Sequence, residues 1–163
     1  MVAPSGEVKV KLFLLFRVDS KICAIPVQHV VKVLLPVALI EIPEDLHLIR
    51  GYINYHGTIL PVLDLHKYFT GRSVDISRHH KFIVISKDSA GAVVVVDEIV
   101  GIQELTRSSV IKPHGLIEDI AYWKDTPVIL LGLSRLFELT YEVLPPDRDG
   151  MESVKINGNN QKG

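Results

Sequence analysis

The feature that most constrains this chain is an internal repeat. LFLLFRVDSKICAIPVQHVVKV, starting at Leu12, lies over KFIVISKDSAGAVVVVDEIVGI, starting at Lys81, at an offset of 69 residues. Phe13 falls on Phe82, and Asp19-Ser20 on Asp88-Ser89 at a turn. At an offset of 68, TILPVLDLHKYF from Thr58 lies over TPVILLGLSRLF from Thr126, so that Thr58, Leu63, Leu65 and Phe69 match Thr126, Leu131, Leu133 and Phe137. Identities are few, but the hydrophobic pattern, the turn and the closing LxxxF recur in one order. A chain of 163 residues thus reads as two related halves of about 70 residues each, and folding should remove roughly 70% of its unfolded surface from water.

Each half is written in strand signals. Val8 to Val18 and Lys81 to Ser86 are rich in β-branched and aromatic residues, and each runs through a polar turn into a second apolar stretch, which predicts hairpins. Gly91 to Asp97 is an apolar run of strand length, expected to be covered on both faces. Asn54 to Gly57 and Tyr122 to Thr126 are predicted hairpin turns at matching places in the two halves. Pro43 to Gly51 has proline first, acids next, arginine late and glycine last, which predicts a helix of about two turns. Asp64 to Phe69 and Leu133 to Glu138 are expected to form short helical turns, with Asp64 as an N-terminal cap. Pro26, Pro61 and Pro127 cannot donate to a ladder and mark strand starts, edges or bulges. The expected fold is mainly β, two small five-stranded SH3-like barrels packed together with a few short helices, within one domain over residues 8–143. The barrels are placed at about 8–69 and 81–143, with 70–80 as connecting loop and 145–163 as a disordered tail.

Composition excludes several functions. A formal charge of -1 and only 7% aromatic residues give neither the basic groove nor the stacking platform that nucleic acid needs. The apolar run Leu12 to Phe16 is too short to target or span a membrane, so a cytoplasmic protein without direct membrane insertion is expected. Cys23, the single cysteine, sits in an apolar stretch and reads as a buried hydrophobe. Histidines at 29, 47, 56, 66, 79, 80 and 114 show no zinc spacing, and His79-His80 read as a solvated pair, so no metal and no cofactor are expected. No GxSxG, Walker A or GxGxxG is present, and the repeat partner of Asp64 is Gly132, so no second carboxylate pairs with it. No catalytic residue is assigned. An interaction module, using strand edges and apolar patches, is what these residues leave.

GYINYHGTILPVLDLHKYF resembles the GxxNxRGxxxPVxDLxxxF signature of the CheW-like family, coupling proteins of bacterial chemotaxis. IPVQHVVKV, VVVDEIVGI and ILLGLSRLF resemble further family segments in the right order, so that the resemblance spans about residues 8 to 140. It implies a non-enzymatic adaptor that docks the cytoplasmic tip of a chemoreceptor between two barrels and binds the regulatory domain of a CheA-type histidine kinase, in association with membrane receptor arrays. Partner contacts are expected at Val30, Lys32, Val33, Asn54, His56, Gly57, Val96 and Asp97, with Val30, Val33 and Val96 as an apolar groove floor. The alternative for each valine is an ordinary core position.

The chain departs from the family pattern at three places. His56 stands where arginine is usual, Lys32 where glutamate is usual, and Gly132 where the closing aspartate is usual. A permanently charged fork is lost at the first and a charge reversed at the second, which points to a specialised partner. Other readings are a kinase regulatory domain or the adaptor half of a protein with a receiver domain, a module of a pathway controlling pili, gliding or gene expression, and, more distantly, an enzyme with a site between barrels.

Overall fold

The computed structural model describes residues 11–43, 46–109 and 111–142, with the side chain of residue 142 excepted. The expected strand start at Val8, the disordered tail and the acids Glu44 and Asp45 lie outside the described residues. In chain order the elements are β1 (Leu12–Val18), β2 (Lys21–Pro26), a 3-10 turn (Val27–His29), β3 (Val30–Leu34), β4 (Ile49–Tyr55), β5 (Thr58–Asp64) and α1 (Leu65–Thr70). Then follow β6 (Lys81–Lys87), β7 (Ala90–Val96), β8 (Glu98–Glu104), β9 (Ile117–Trp123), β10 (Thr126–Leu131) and α2 (Leu133–Glu142).

These strands form two five-stranded sheets, ordered β8-β1-β2-β10-β9 and β3-β6-β7-β5-β4. Replacing each strand by its repeat partner converts one order into the other. The register repeats too: Leu14 faces Ile25 and Ile83 faces Val94, 69 residues on. Three hydrogen bonds also recur at the offset of 68. Ile40 N to Tyr52 O, Ile49 N to Leu46 O and Asp64 N to Leu48 O are matched by Ser108 N to Ile120 O, Ile117 N to His114 O and Gly132 N to Leu116 O.

Three expectations are corrected. Each half does not build its own sheet: β1 and β2 join β8, β9 and β10, while β6 and β7 join β3, β4 and β5. The halves are therefore interlaced, with parallel pairing of β10 to β2 and of β5 to β7 as the seams. Nor are the sheets closed into barrels, since the end strands β8 and β9, and likewise β3 and β4, are not hydrogen-bonded to each other. The helix expected over Pro43 to Gly51 is also absent from residues 46–51, where Leu46 bridges to Ile49 and Ile49–Gly51 open β4. The alternating burial of Ile49, Gly51 and Ile53 secures that strand, so tertiary pairing overrides a cap-like local pattern.

Continuous apolar runs arise because most inner strands are covered on both faces. In β1, Leu14, Phe16 and Val18 enter a central core between the sheets, while Phe13 and Leu15 enter a smaller core enclosed by their own sheet. In β6, Ile83 and Ile85 enter the central core, and Phe82 and Val84 a small core with Leu60, Val62 and Val93. Truncating a fully buried phenylalanine such as Phe16 or Phe82 to alanine removes about 3–5 kcal/mol. Pro61 opposes Tyr52 in β4, and β5 begins pairing with β7 only at Val62, so its missing donor falls where β5 has one neighbour. Asp64 caps α1 as expected, its side chain accepting from Lys67 N.

Candidate functional site

Residues 55–58 form the tight turn between β4 and β5, with Asn54 just before it. Tyr55 opposes Thr58, leaving His56 (φ 54°) and Gly57 (φ 89°) as a two-residue loop, both left-handed as hairpin twist favours. Asn54 Oδ1 accepts Gly57 N at 2.7 Å and fixes the turn. His56 is exposed and stacks edge-on against Tyr55, with ring centroids 4.4 Å apart. The turn thus projects its side chains outward from an edge strand.

The second feature is an apolar rim around the central core. β3 is an end strand, and Val33 opposes Ile83 of that core, so both point to the space between the sheets. Val33 nevertheless stays 37% exposed, and Val31 (51%) and Leu35 (67%) flank it. The other sheet repeats this. On end strand β8, Ile102 opposes Leu14 of the same core and is 54% exposed, and Leu12 is 45% exposed. Lys32 is exposed on the opposite face of β3, opposite Val84.

Not every expected contact residue is available. Val96 is fully buried in the central core, which corrects its assignment to a groove floor: no partner can reach it. Val30 is half-buried and packs against that core. Asp97 is engaged within the chain, Oδ2 accepting Asp19 N at 2.7 Å while Oδ1 lies 2.9 Å from His66 Nε2 and 3.2 Å from His80 Nε2. His80 is thus not the solvated residue expected; the chain folds it inward, with His79 left exposed. Cys23 is buried, and burial pushes its thiol up to about 12, so it is an inert core residue as expected.

Sequence reasoning missed Asp119. Its carboxylate is 2% exposed and takes hydrogen bonds from Ser108 Oγ, Ser109 N, Ile120 N and Arg107 Nε. Burial alone would raise its pKa, but these donors, led by Ser108, hold it down at about 2. The signal was its place in the repeat, where the other half has Gly51.

The CheW-like domain family matches residues 12–140. The chain belongs to that family. It is 28% identical over 101 residues to Protein FrzA of Myxococcus xanthus, covering 62% of this chain and 63% of that protein. It is 27% identical over 93 residues to the chemotaxis protein CheW of Thermotoga maritima, covering 57% of this chain and 61% of that one. Both alignments thus span less than two thirds of the relative's length. The crystal structure of the scaffolding protein TtCheW from Thermoanaerobacter tengcongensis superposes with a TM-score of 0.70 at 25% identity, over 80% of this chain and 94% of that one. The two interlaced sheets are accordingly the SH3-like fold of the CheW-like family. Among the described residues no helix is long and apolar enough to cross a membrane.

Proposed function

We propose that this protein is a cytoplasmic, non-enzymatic scaffold that couples the signalling tip of a chemoreceptor to a CheA-type histidine kinase within membrane receptor arrays. The observation that carries this reading is the apolar rim: Val33 on end strand β3 and Ile102 on end strand β8 are exposed yet stand opposite Ile83 and Leu14 of the central core, with Leu35 and Leu12 exposed nearby along the chain. A receptor tip is an amphipathic helical hairpin, and such a helix docks through apolar anchors into a cleft of this kind. End strands offer unpaired backbone groups to a second β-domain, which suits the regulatory domain of the kinase. Lys32 and His56, both exposed and both departing from the usual residues, are where a specialised partner would be selected.

Pull-down with a receptor signalling fragment and a kinase regulatory domain from the same genome tests this. Both should be retained by the folded protein. Val33→Asp and Leu35→Asp should each weaken at least one of the two partners roughly tenfold or more without altering the fold, as a charge set in an apolar contact does. Failure of the folded protein to bind either partner overturns the proposal. A pathway controlling pili, gliding or gene expression would use the same surfaces, and the receptors recovered would distinguish it.

A further inference from the structure

Outside the docking surfaces, three ligand-type side chains converge from elements far apart in sequence. His66 stands in the first turn of α1, His80 closes the connector that leads into β6, and Asp97 joins β7 to β8. One ligand atom of each lies within 4.8 Å of the other two. We propose that His66, His80 and Asp97 form a three-ligand site for a divalent first-row transition cation, with zinc as the cation to test.

Geometry and chemistry both support this. The contacts of 2.9 and 3.2 Å from Asp97 Oδ1 to the two Nε2 atoms are close to the ~3.3 Å edge of a tetrahedron whose metal–ligand bonds are about 2.0 Å. Two imidazoles with one carboxylate suit zinc, cobalt, nickel or copper, not magnesium or calcium. Asp97 is anchored by Asp19 N, and its side chain remains 29% exposed, which leaves a way in and a fourth position for water.

The second, independent observation is His66 Nδ1. It is buried and has no hydrogen-bond partner, and the nearest carboxylate oxygen is Asp64 Oδ1 at 3.9 Å. Asp64 is itself fully buried, pinned by Lys67 N and Val74 N. A cation on Nε2 places the ring proton on Nδ1, on the side of that carboxylate, and an approach of a few tenths of an ångström would complete the carboxylate–histidine–metal arrangement. The cation therefore supplies a role for a buried nitrogen that otherwise has none.

His80 sets the opposing cost. Its Nδ1 accepts Ser77 N at 3.0 Å, which places the proton on Nε2, directed at Asp97. Binding through Nε2 moves that proton to Nδ1, where Ser77 Oγ at 3.4 Å is the acceptor and the bond from Ser77 N is given up. Metal binding and the internal hydrogen bonds thus compete for the same atoms. The cation would tie α1, the connector and the start of β8 together at one point.

The test uses the full chain stripped with chelator, titrated with zinc by calorimetry and with cobalt(II) by visible absorption. One equivalent should bind, cobalt should show the intense bands of a tetrahedral site, and the melting temperature should rise with zinc. His66→Ala and His80→Ala should each lower affinity roughly a hundredfold or more. Asp64→Asn, which keeps an acceptor for the cap, should lower it roughly tenfold, an effect that a purely structural Asp64 would not produce. If His66→Ala fails to fold, His66→Gln takes its place. His79→Ala should change nothing. No binding by the folded wild type, or binding that survives loss of both His66 and His80, overturns the proposal.

Discussion

The two halves share a backbone and differ in where each buries its carboxylate. In the first half Asp64 holds the connector through Val74 N and caps α1 through Lys67 N. Its repeat partner is Gly132, which offers no side chain. In the second half the buried acid is Asp119, which holds the segment from Arg107 to Ser109 against β9. Its repeat partner is Gly51, where the same segment approaches through backbone alone, by Ile40 N to Tyr52 O at 2.7 Å and Tyr52 N to Ile40 O at 2.9 Å. One architecture thus meets the same need, satisfying the polar groups of a loop laid on a strand, by two chemistries. The histidine–aspartate cluster is one-sided as well, since Ser134 and Gln28 stand at the repeat positions of His66 and Asp97.

Interlacing makes the strongest prediction. If neither half completes a sheet, residues 1–75 and 76–163 expressed separately should each be unfolded by circular dichroism and proton NMR dispersion. Mixing them should restore the fold. A folded first half alone would break the account of exchanged strands.

The buried acids come next in size. Asp119→Ala removes a nearly buried carboxylate from two backbone donors, a hydroxyl and the Arg107 guanidinium, of which Ser109 and Arg107 can turn to water, so it should cost about 1–3 kcal/mol in denaturant unfolding. Asp64→Ala should cost a similar amount for the same reason. Because the folded pKa of Asp119 is depressed to about 2 from an ordinary 3.8, its contribution is complete above pH 3.8 and is lost as the pH falls toward 2. Stability measured between pH 4 and pH 2 should therefore fall less steeply in Asp119→Asn than in the wild type.

How legible this was depended on range. The hairpins were readable because their turns and strands are contiguous, and Asp64 as a cap because a cap acts over three residues. The repeat established that the halves are alike, but not which sheet each strand joins, since pairing β10 with β2 spans more than a hundred positions. The misread helix at 43–51 copied the residue order of a capped helix, while its outcome was decided by the β4–β5 hairpin, where Ile49 pairs with Leu63 and Gly51 with Val62, beyond the few residues over which a cap acts. The rim valines were legible only in part: Val33 is exposed, but Val96, with the same apolar signature, faces inward because β7 is a central strand with both faces covered. The meeting of His66, His80 and Asp97 has no local signature at all.

Glycine substitutions sharpen the comparison at smaller scale. A Cβ on Gly51 would lie 2.8 Å from the backbone oxygen of Ile40, which cannot retreat without breaking its bridge to Tyr52, so Gly51→Ala should cost about 1–3 kcal/mol. A Cβ on Gly132 would meet Glu118 Oε1 at 3.0 Å, the far end of a flexible side chain. Gly132→Ala should cost less than about 1 kcal/mol, since that end can swing away. Equal losses at the two positions, read from chemical denaturation, would remove the distinction between a backbone-held loop and a side-chain-held one.

The smallest effect on stability is expected at the turn. His56 and Lys124 begin equivalent two-residue turns, each with φ between 51° and 54° and each exposed. Lys124 shows that a long basic side chain is accommodated in this conformation, although histidine is among the residues that visit it more readily. His56→Arg should therefore shift the melting temperature by no more than about 1–2 °C, because the side chain gives up only its edge contact with Tyr55. Its effect should instead appear in affinity for the receptor or the kinase domain, where a permanent forked cation replaces a smaller ring. If the melting temperature falls by several degrees with affinity unchanged, His56 belongs to the turn's own structure and the selection of partners lies elsewhere, with Lys32 the next residue to exchange.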